Sequence, residues 1–279
     1  MTREDEPLPP VEEVHALWRH CNRVQDDDSV SPWAEDSKLD SATLDRYGLV
    51  RAIPFRLALP PWARGPGEAA TPQPWNEIGA RLVVPLFDEA GEMRSLRARA
   101  LLPFGEQQAR WLHPAGFGSA GLVLANPLAV MMVQIAAWRA SSDPLARVHG
   151  GDGWPEWAER RLLIVDGEQE FLHWSCHPRA HAFAVLGTGS AAWSEAIAYA
   201  VPDHTTVLVR TGNHDVGDRY AERIAESLGE RCSVRESEPL SRAERRRLCT
   251  LREHEHATAT RPTSADSPAI RTTQARGAP

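Results

Sequence analysis

Two apolar, β-like runs in this 279-residue chain each end in a group of acidic side chains. After the run 162–165 the group is Asp166, Glu168 and Glu170, and after the run 206–209 it is His214, Asp215 and Asp218. In an open α/β sheet, ligands and metals lie at the carboxyl ends of the parallel strands. Oxygen ligands at a strand-to-helix turn suit Mg²⁺, so the two groups predict a divalent-metal site at such an edge.

Both groups also have a purely structural interpretation. Acidic side chains near the start of a helix interact favourably with the helix dipole, which explains the first group about equally well. Asp218 is a candidate for the cap or first turn of a helix over 218–228, and for this residue the capping interpretation is favoured. The glycines that permit tight turns in either arrangement are Gly167, Gly212 and Gly217.

A third set of side chains is basic and aromatic and lies on and after a predicted strand at 93–101. It comprises Arg97, Arg99, Arg110, Trp111 and His113. Single-stranded nucleic acid is held by such combinations, with cations on the phosphates and rings under the bases. An equally weighted alternative is a solvated arginine face beside a partly buried tryptophan.

These side chains must be positioned by an alternation of strands and helices. In the second half of the chain, strands are predicted at 162–165, 182–186, 206–209 and 232–235, with helical segments between them. This order is typical of βαβ units and predicts a parallel sheet with helices on both faces. In the first half, helices precede a hairpin of strands at 81–87 and 93–101. The predicted fold class is therefore α/β, preceded by a smaller α+β part.

Composition excludes several classes of protein. The net charge of −7 and the pI of about 5.9 exclude a wholly basic nucleic-acid coat, although a local basic patch is compatible with them. No apolar run is long enough to span a membrane, and the acidic N-terminus lacks a signal-peptide core, so a cytoplasmic protein is expected. The four cysteines form no C-x-x-C pair, so neither zinc nor a disulfide framework is expected.

The segments together resemble the catalytic core of bacterial, phage and mobile-element DNA primases, which carry a Toprim domain. Residues 163–172 are similar to the Toprim acidic motif V-V-E-G-x-x-D-x-L, and residues 207–221 to D-x-D-x-x-G followed by a helix. Upstream, the segments similar to primase motifs are 38–49, 81–99 and 110–114. The resemblance covers about residues 30 to 236.

The resemblance implies an organisation in four segments. An acidic, helical segment at 1–29 precedes a primase-like subdomain at 30–150. A Toprim domain, a Rossmann-like parallel sheet with flanking helices, is expected at 151–237. A basic helix and a disordered tail are expected at 238–279.

The resemblance also implies an activity, which is metal-dependent nucleotidyl transfer for primer synthesis in replication of a phage or mobile element. Asp166 would be the acid/base, and Mg²⁺ or Mn²⁺ would be held by Asp166, Glu170, His214, Asp215 and Asp218. Single-stranded DNA and NTPs would be held by Arg97, Arg99, Arg110, Trp111 and His113. A replicative helicase or another replication protein is the implied partner.

The motifs differ from the family pattern at the acidic positions. Asp166 stands where the family has Glu, and Glu170 stands where it has Asp. The two aspartates of the second motif fall on Gly212 and His214, and only a one-residue shift would let Asp215 substitute. Two alternatives to an active primase therefore remain. One is a catalytically degenerate Toprim protein that binds nucleic acid or a replication partner, and the other is a Toprim-type nuclease.

Overall fold

The computed structural model describes residues 6–66, 71–101, 111–140, 154–156, 158–188, 192–210 and 215–236. Within these ranges the chain forms an antiparallel sheet, a mainly parallel sheet and a small two-stranded ribbon. The basic helix and tail predicted at 238–279 lie outside the described residues.

The N-terminal part combines three short helices with the antiparallel sheet. The helices are α1 (Val11–His20), α2 (Ser31–Asp36) and α3 (Ser41–Arg46). The strands are β1 (Arg51–Ala52), β2 (Arg64–Pro66), β3 (Pro72–Pro74), β4 (Ala80–Phe87), β5 (Met93–Ala100) and β6 (Trp111–Leu112). The sheet has the order β1-β4-β5-β6, and β2 pairs with β3 in the ribbon. The long β4–β5 hairpin confirms the strands predicted at 81–87 and 93–101.

The C-terminal part contains the predicted parallel sheet. Its strands are β7 (Leu124–Ala125), β8 (Arg161–Asp166), β9 (Ala184–Thr188), β10 (Thr206–Arg210) and β11 (Ser233–Glu236). The strand order is β11-β10-β8-β9-β7, and all neighbours are parallel except β7 and β9. The helices are α4 (Pro127–Ala140), α5 (Glu168–Ser175), α6 (Glu195–Ala200) and α7 (Asp215–Leu228).

Three details differ from the sequence-based expectation. Strand β9, which was expected to begin at 182, begins at Ala184, because residues Ala180–Ala182 form a single 3₁₀ turn before it. Helix α7 begins at Asp215 and not at 218, so Asp218 is not its cap but lies at the end of its first turn, the other position expected for it. The sheet also recruits β7, and α4 packs beside it, although both come from the segment 30–150 that was assigned to the first subdomain. The boundary expected near 150 itself lies outside the described residues.

The turn of the hairpin is fixed against α4. Asp88 Oδ1 accepts hydrogen bonds from the backbone N–H groups of Ala90 and Glu92 at 3.0 and 2.9 Å, which closes the turn. Gly91 has φ of 73°, and a Cβ at this position would lie 2.6 Å from Gln134 Cγ. Glycine is therefore required both by the backbone angle and by the close approach of α4.

One hydrophobic cluster, which we call the shared core, joins the two sheets. It includes Leu82, Val84 and Leu86 from β4 together with Leu163 and Val165 from β8, Val185 from β9, and Phe171 and Leu172 from α5. A second cluster fills the opposite face of the parallel sheet, beneath α4, α6 and α7. The hairpin and the carboxyl edge of the parallel sheet are thus held in one fixed relation.

The described cysteines, Cys21, Cys176 and Cys232, are free thiols. Burial raises the pKa of the Cys21 thiol to about 12, and burial also raises the pKa of Cys176, so both are poor nucleophiles at neutral pH. None of the described helices combines the length and the apolar character needed to cross a bilayer.

Candidate nucleic-acid interface

Asp166 lies at the carboxyl edge of the parallel sheet, as the sequence predicts. It is the last residue of β8, its side chain is exposed, and Gly167 (φ 78°) turns the chain into α5. In the parallel register Asp166 lies beside Thr188 at the end of β9, and Arg210 at the end of β10 lies beside Val165. Three strands therefore end together at this edge.

The next two acids are buried and paired with arginines, although they occupy the first turn of a helix. Glu168 accepts a hydrogen bond from Arg97 Nη1 on β5. Glu170 Oε1 accepts one from Arg210 Nε at 3.1 Å, and these two side chains are only 6% and 9% exposed. Interaction with the helix dipole does not explain such burial, because a buried carboxylate needs a charged or hydrogen-bonded partner.

The predicted basic and aromatic residues lie beside the same edge. Arg97 Nη2 also donates to Ser119 Oγ at 3.4 Å, and Ser119 Oγ lies 3.1 Å from His113 Nδ1. The guanidinium of Arg99 lies 5.5 Å from the centroid of the Trp111 ring, which is a cation–π distance. Arg110 lies outside the described residues.

Trp33, on α2, completes this cluster and was missed by the sequence analysis. Its ring centroid lies 5.7 Å from the guanidinium of Arg99. The pKa of Arg99 is lowered from its usual value, chiefly because burial disfavours the charged form. The nearby charge of Glu168 opposes this shift, so Arg99 is partly desolvated but has a counter-charge beside it. Nothing local in the sequence links α2 to β5, since the contact arises only when the chain folds back.

Buried hydrogen-bond donors accumulate at the junction of hairpin and parallel sheet. Within the described part of the chain, four buried N–H atoms here have no hydrogen-bond partner: Trp33 Nε1, Arg97 Nε, Arg99 Nε and Trp174 Nε1. All four are donors, and a buried donor without a partner is costly. These unpartnered donors are part of the cost of packing cationic and aromatic side chains at this junction.

Tyr220 and Thr188 form a buried pair next to Asp166, and both were missed by the sequence analysis. The hydroxyl of Tyr220 on α7 hydrogen-bonds to Thr188 Oγ1. Burial raises the pKa of Tyr220 to about 12, and the nearby charge of Asp166 acts in the same direction, while Thr188 and Arg223 oppose it. The phenol is therefore a neutral hydrogen-bonding group beside Asp166 at physiological pH.

This shift predicts a loss of stability at alkaline pH. Between the ordinary tyrosine value of 10.0 and about 12, the unfolded chain releases the phenolic proton before the folded chain does. The contribution of Tyr220 to the free energy of unfolding is complete below pH 10, and it should fall by roughly 2–3 kcal/mol across this window. Tyr220→Phe should remove the last phenolate component from an ultraviolet pH titration and flatten the fall. The exposed Tyr199→Phe is the control, and loss of the same component there would contradict the assignment.

The described residues do not by themselves make the predicted metal site. Glu170 is engaged by Arg210, and Asp218 is exposed on α7, where Gly217 is buried within the helix. No three His, Cys, Asp or Glu side chains in the described ranges lie close enough together to hold a metal ion. Gly212, His214 and the side chain of Asp215 lie outside the described residues, so their metal role stays a prediction.

Comparison with known proteins returns structural neighbours only. No protein-family model matches the chain. No curated protein matches it either. A solved DnaG primase catalytic domain bound to ssDNA superposes with a TM-score of 0.51 at 11% identity, covering 88% of this chain and 79% of that one.

Two further neighbours are primases of named organisms. The RNA polymerase domain of Mycobacterium tuberculosis primase DnaG has a TM-score of 0.50 at 12% identity, covering 89% of this chain and 80% of that one. The Aquifex aeolicus primase structure, with zinc binding and RNA polymerase domains, has a TM-score of 0.49 at 8% identity. This chain spans 61% of that longer structure, and 93% of this chain is covered.

Identities this low carry information about the fold alone. In this chain an N-terminal α+β part precedes a mainly parallel sheet flanked by helices. The chain has the mixed α/β fold of DnaG primase catalytic cores.

Proposed function

We propose that the chain is a primase-like protein that binds single-stranded DNA where the β4–β5 hairpin meets the carboxyl edge of the parallel sheet. The ion pair between Arg97 and Glu168 carries this proposal, because it joins the basic hairpin to the acidic strand end. This pair supports a binding surface that would include Arg97 and Arg99 together with the exposed Asp166 at the end of β8. The neighbour that is bound to ssDNA has the same fold.

The chemistry of this surface suits a flexible, phosphate-rich strand. Arg97 and Arg99 are half-buried and supply guanidinium groups that can contact phosphate oxygens. Trp111 is half-buried and His113 is exposed, so ring surface is accessible next to the cations. Single strands are bound by this combination of phosphate contacts and stacked bases. Arg110, adjacent to Trp111 in sequence, would extend the same surface.

We further propose that Asp166 supports nucleotidyl transfer from NTPs for primer synthesis in replication of a phage or mobile element in the cytoplasm, as the resemblance to Toprim primases implies. The carboxylate at the end of β8 is exposed, and an accessible carboxylate can accept a proton from an attacking hydroxyl group. Mg²⁺ or Mn²⁺ would need ligands from His214, Asp215 and Asp218 besides Asp166. A replicative helicase or another replication protein would be the partner.

A DNA-binding module without catalysis is the second candidate. The pairing of Glu170 with Arg210 favours it, because an acid that the family motif would assign to metal is engaged by a guanidinium. Both candidates require the DNA surface, and they differ in whether Asp166 performs chemistry.

Both candidates claim that this surface binds single-stranded DNA, and fluorescence anisotropy of a labelled single-stranded oligonucleotide tests this claim. Replacing Arg97 and Arg99 together by Gln should weaken binding at least tenfold and make the log–log salt slope shallower by about 1–1.5. Arg231→Gln, at the opposite edge of the parallel sheet, is the control and should bind like the wild type. Circular dichroism would verify that the variants fold. Wild-type protein without salt-sensitive binding would refute the proposal.

A further inference from the structure

The carboxyl edge of the parallel sheet carries balanced charge. The three acids at its rim, Asp166, Glu168 and Glu170, are accompanied by three arginines: Arg97, Arg99 and Arg210. An edge with the same acids alone would repel the phosphates of DNA unless a divalent cation screened them. Here the positive charge is part of the polypeptide.

Arg210 is the most firmly placed of these cations. It is the last residue of β10 and lies in register with Val165, so a central strand of the sheet fixes its backbone. Its guanidinium lies 5.4 Å from the centroid of the Trp174 ring, and its Nε donates to Glu170. Because both Arg210 and Glu170 are buried, the pair is built into the fold rather than formed by mobile surface side chains.

A divalent cation that used Glu170 as a ligand would have to displace this guanidinium or lie beside it. The first change would separate a buried cation from the carboxylate of Glu170, and the second would place two positive charges together. Both are unfavourable, so the donor set at Glu170 does not fit a metal.

We infer that Arg210 takes the place of a divalent cation at Glu170, and that the phosphodiester backbone of single-stranded DNA binds at this edge without any divalent metal. The inference rests on the proposed DNA-binding function. It goes further because the family resemblance implies a metal ligand at Glu170, whereas the geometry assigns an internal ion pair there. Any metal-dependent chemistry at Asp166 would then be separate from DNA binding.

The first experiment uses the wild-type chain. Anisotropy of a labelled single strand is measured in EDTA and in Mg²⁺ at matched ionic strength, and the two Kd values should agree within about threefold. Binding that weakens more than about tenfold in EDTA would overturn the inference. Absence of binding in both conditions would instead refute the proposed function and the DNA half of the inference, and the claim that Glu170 is not a metal ligand is then decided by metal binding alone.

A direct measurement of metal binding tests whether Glu170 is a ligand. Mn²⁺ binding, measured by electron paramagnetic resonance, should be the same within about threefold in the wild type and in Glu170→Gln. A loss of about tenfold or more in Glu170→Gln would show that Glu170 is a ligand and would overturn the inference.

Variants of the Arg210–Glu170 pair test whether this ion pair is the reason that DNA binding needs no divalent metal. Arg210→Gln exposes the charge of Glu170, so DNA binding in EDTA should weaken by about tenfold and recover in Mg²⁺. Adding Glu170→Gln to that variant should abolish this metal response. Arg231→Gln removes an arginine that pairs with Asp203 at 3.1 Å at the opposite edge, and it should show no metal response. Should Arg210→Gln fail to fold, the wild-type and Glu170→Gln measurements still decide.

Discussion

Replacing Arg81 by methionine is expected to lower the free energy of unfolding by about 3–5 kcal/mol. Arg81 Nη2 lies 2.8 Å from Asp27 Oδ2, and these side chains are only 2% and 9% exposed. Arg81 Nε donates to the carbonyl oxygen of Ile53 at 2.7 Å, and the ring of Phe55 covers the guanidinium. The substitution would leave the Asp27 carboxylate buried without its cation. Since total stabilities are about 5–15 kcal/mol, the loss should be easy to detect.

Urea denaturation followed by circular dichroism measures this effect. Arg94→Met on the same hairpin is the matched control, because its contact with Asp88 is 3.6 Å long and its side chain is 37% exposed. That partly exposed pair should contribute less than about 1 kcal/mol. A similar small loss in Arg81→Met would mean that Asp27 finds another partner or takes up a proton.

Asp166→Asn should reduce primer synthesis on a single-stranded template by at least ~100-fold, if the chain transfers nucleotides. The amide keeps the size of the side chain but cannot accept the proton of an attacking hydroxyl group. DNA binding should persist, because in the proposed complex the arginines of the hairpin would hold the strand. The assay supplies labelled NTPs with Mg²⁺ or Mn²⁺ and resolves the products by gel electrophoresis.

Asp203→Asn is the control for this assay, since Asp203 lies at the opposite edge of the same sheet and contacts Arg231. Undiminished products from Asp166→Asn would rule out an acid/base role for Asp166. Wild-type protein that binds DNA but makes no product with either metal would favour the binding module over the enzyme.

The elements that could be predicted from sequence are those that local patterns specify. The strands predicted from the apolar runs of β4, β8 and β10 and from the alternation of β5 were confirmed within a residue or two. Strand β7 could not be predicted, because two residues give no periodic signal and its pairing with β9 joins distant segments. The start of α7 was misplaced because Gly217, a weak helix former, lies within the first turn.

The location of the site could be predicted from the sequence, but the ion pairs that its acidic side chains form could not. Asp166 follows an apolar run and a glycine follows it, which is a local signature of a strand end. The partners of the next acids come from 71 residues away for Glu168 and 40 residues away for Glu170. No spacing rule links positions so far apart, so the arginines that neutralise these acids emerged only from the fold.

The shared core has a consequence for cooperativity. Because leucines of β4 and the buried side chains of β8 and α5 fill a single cluster, neither sheet retains a complete interior when the other unfolds. A fragment beginning at 151 would expose Val165, Phe171 and Leu172 to water and lose β7 and α4 as well. The chain contains two topological units but should behave as one thermodynamic unit, with hairpin and parallel sheet melting in a single transition.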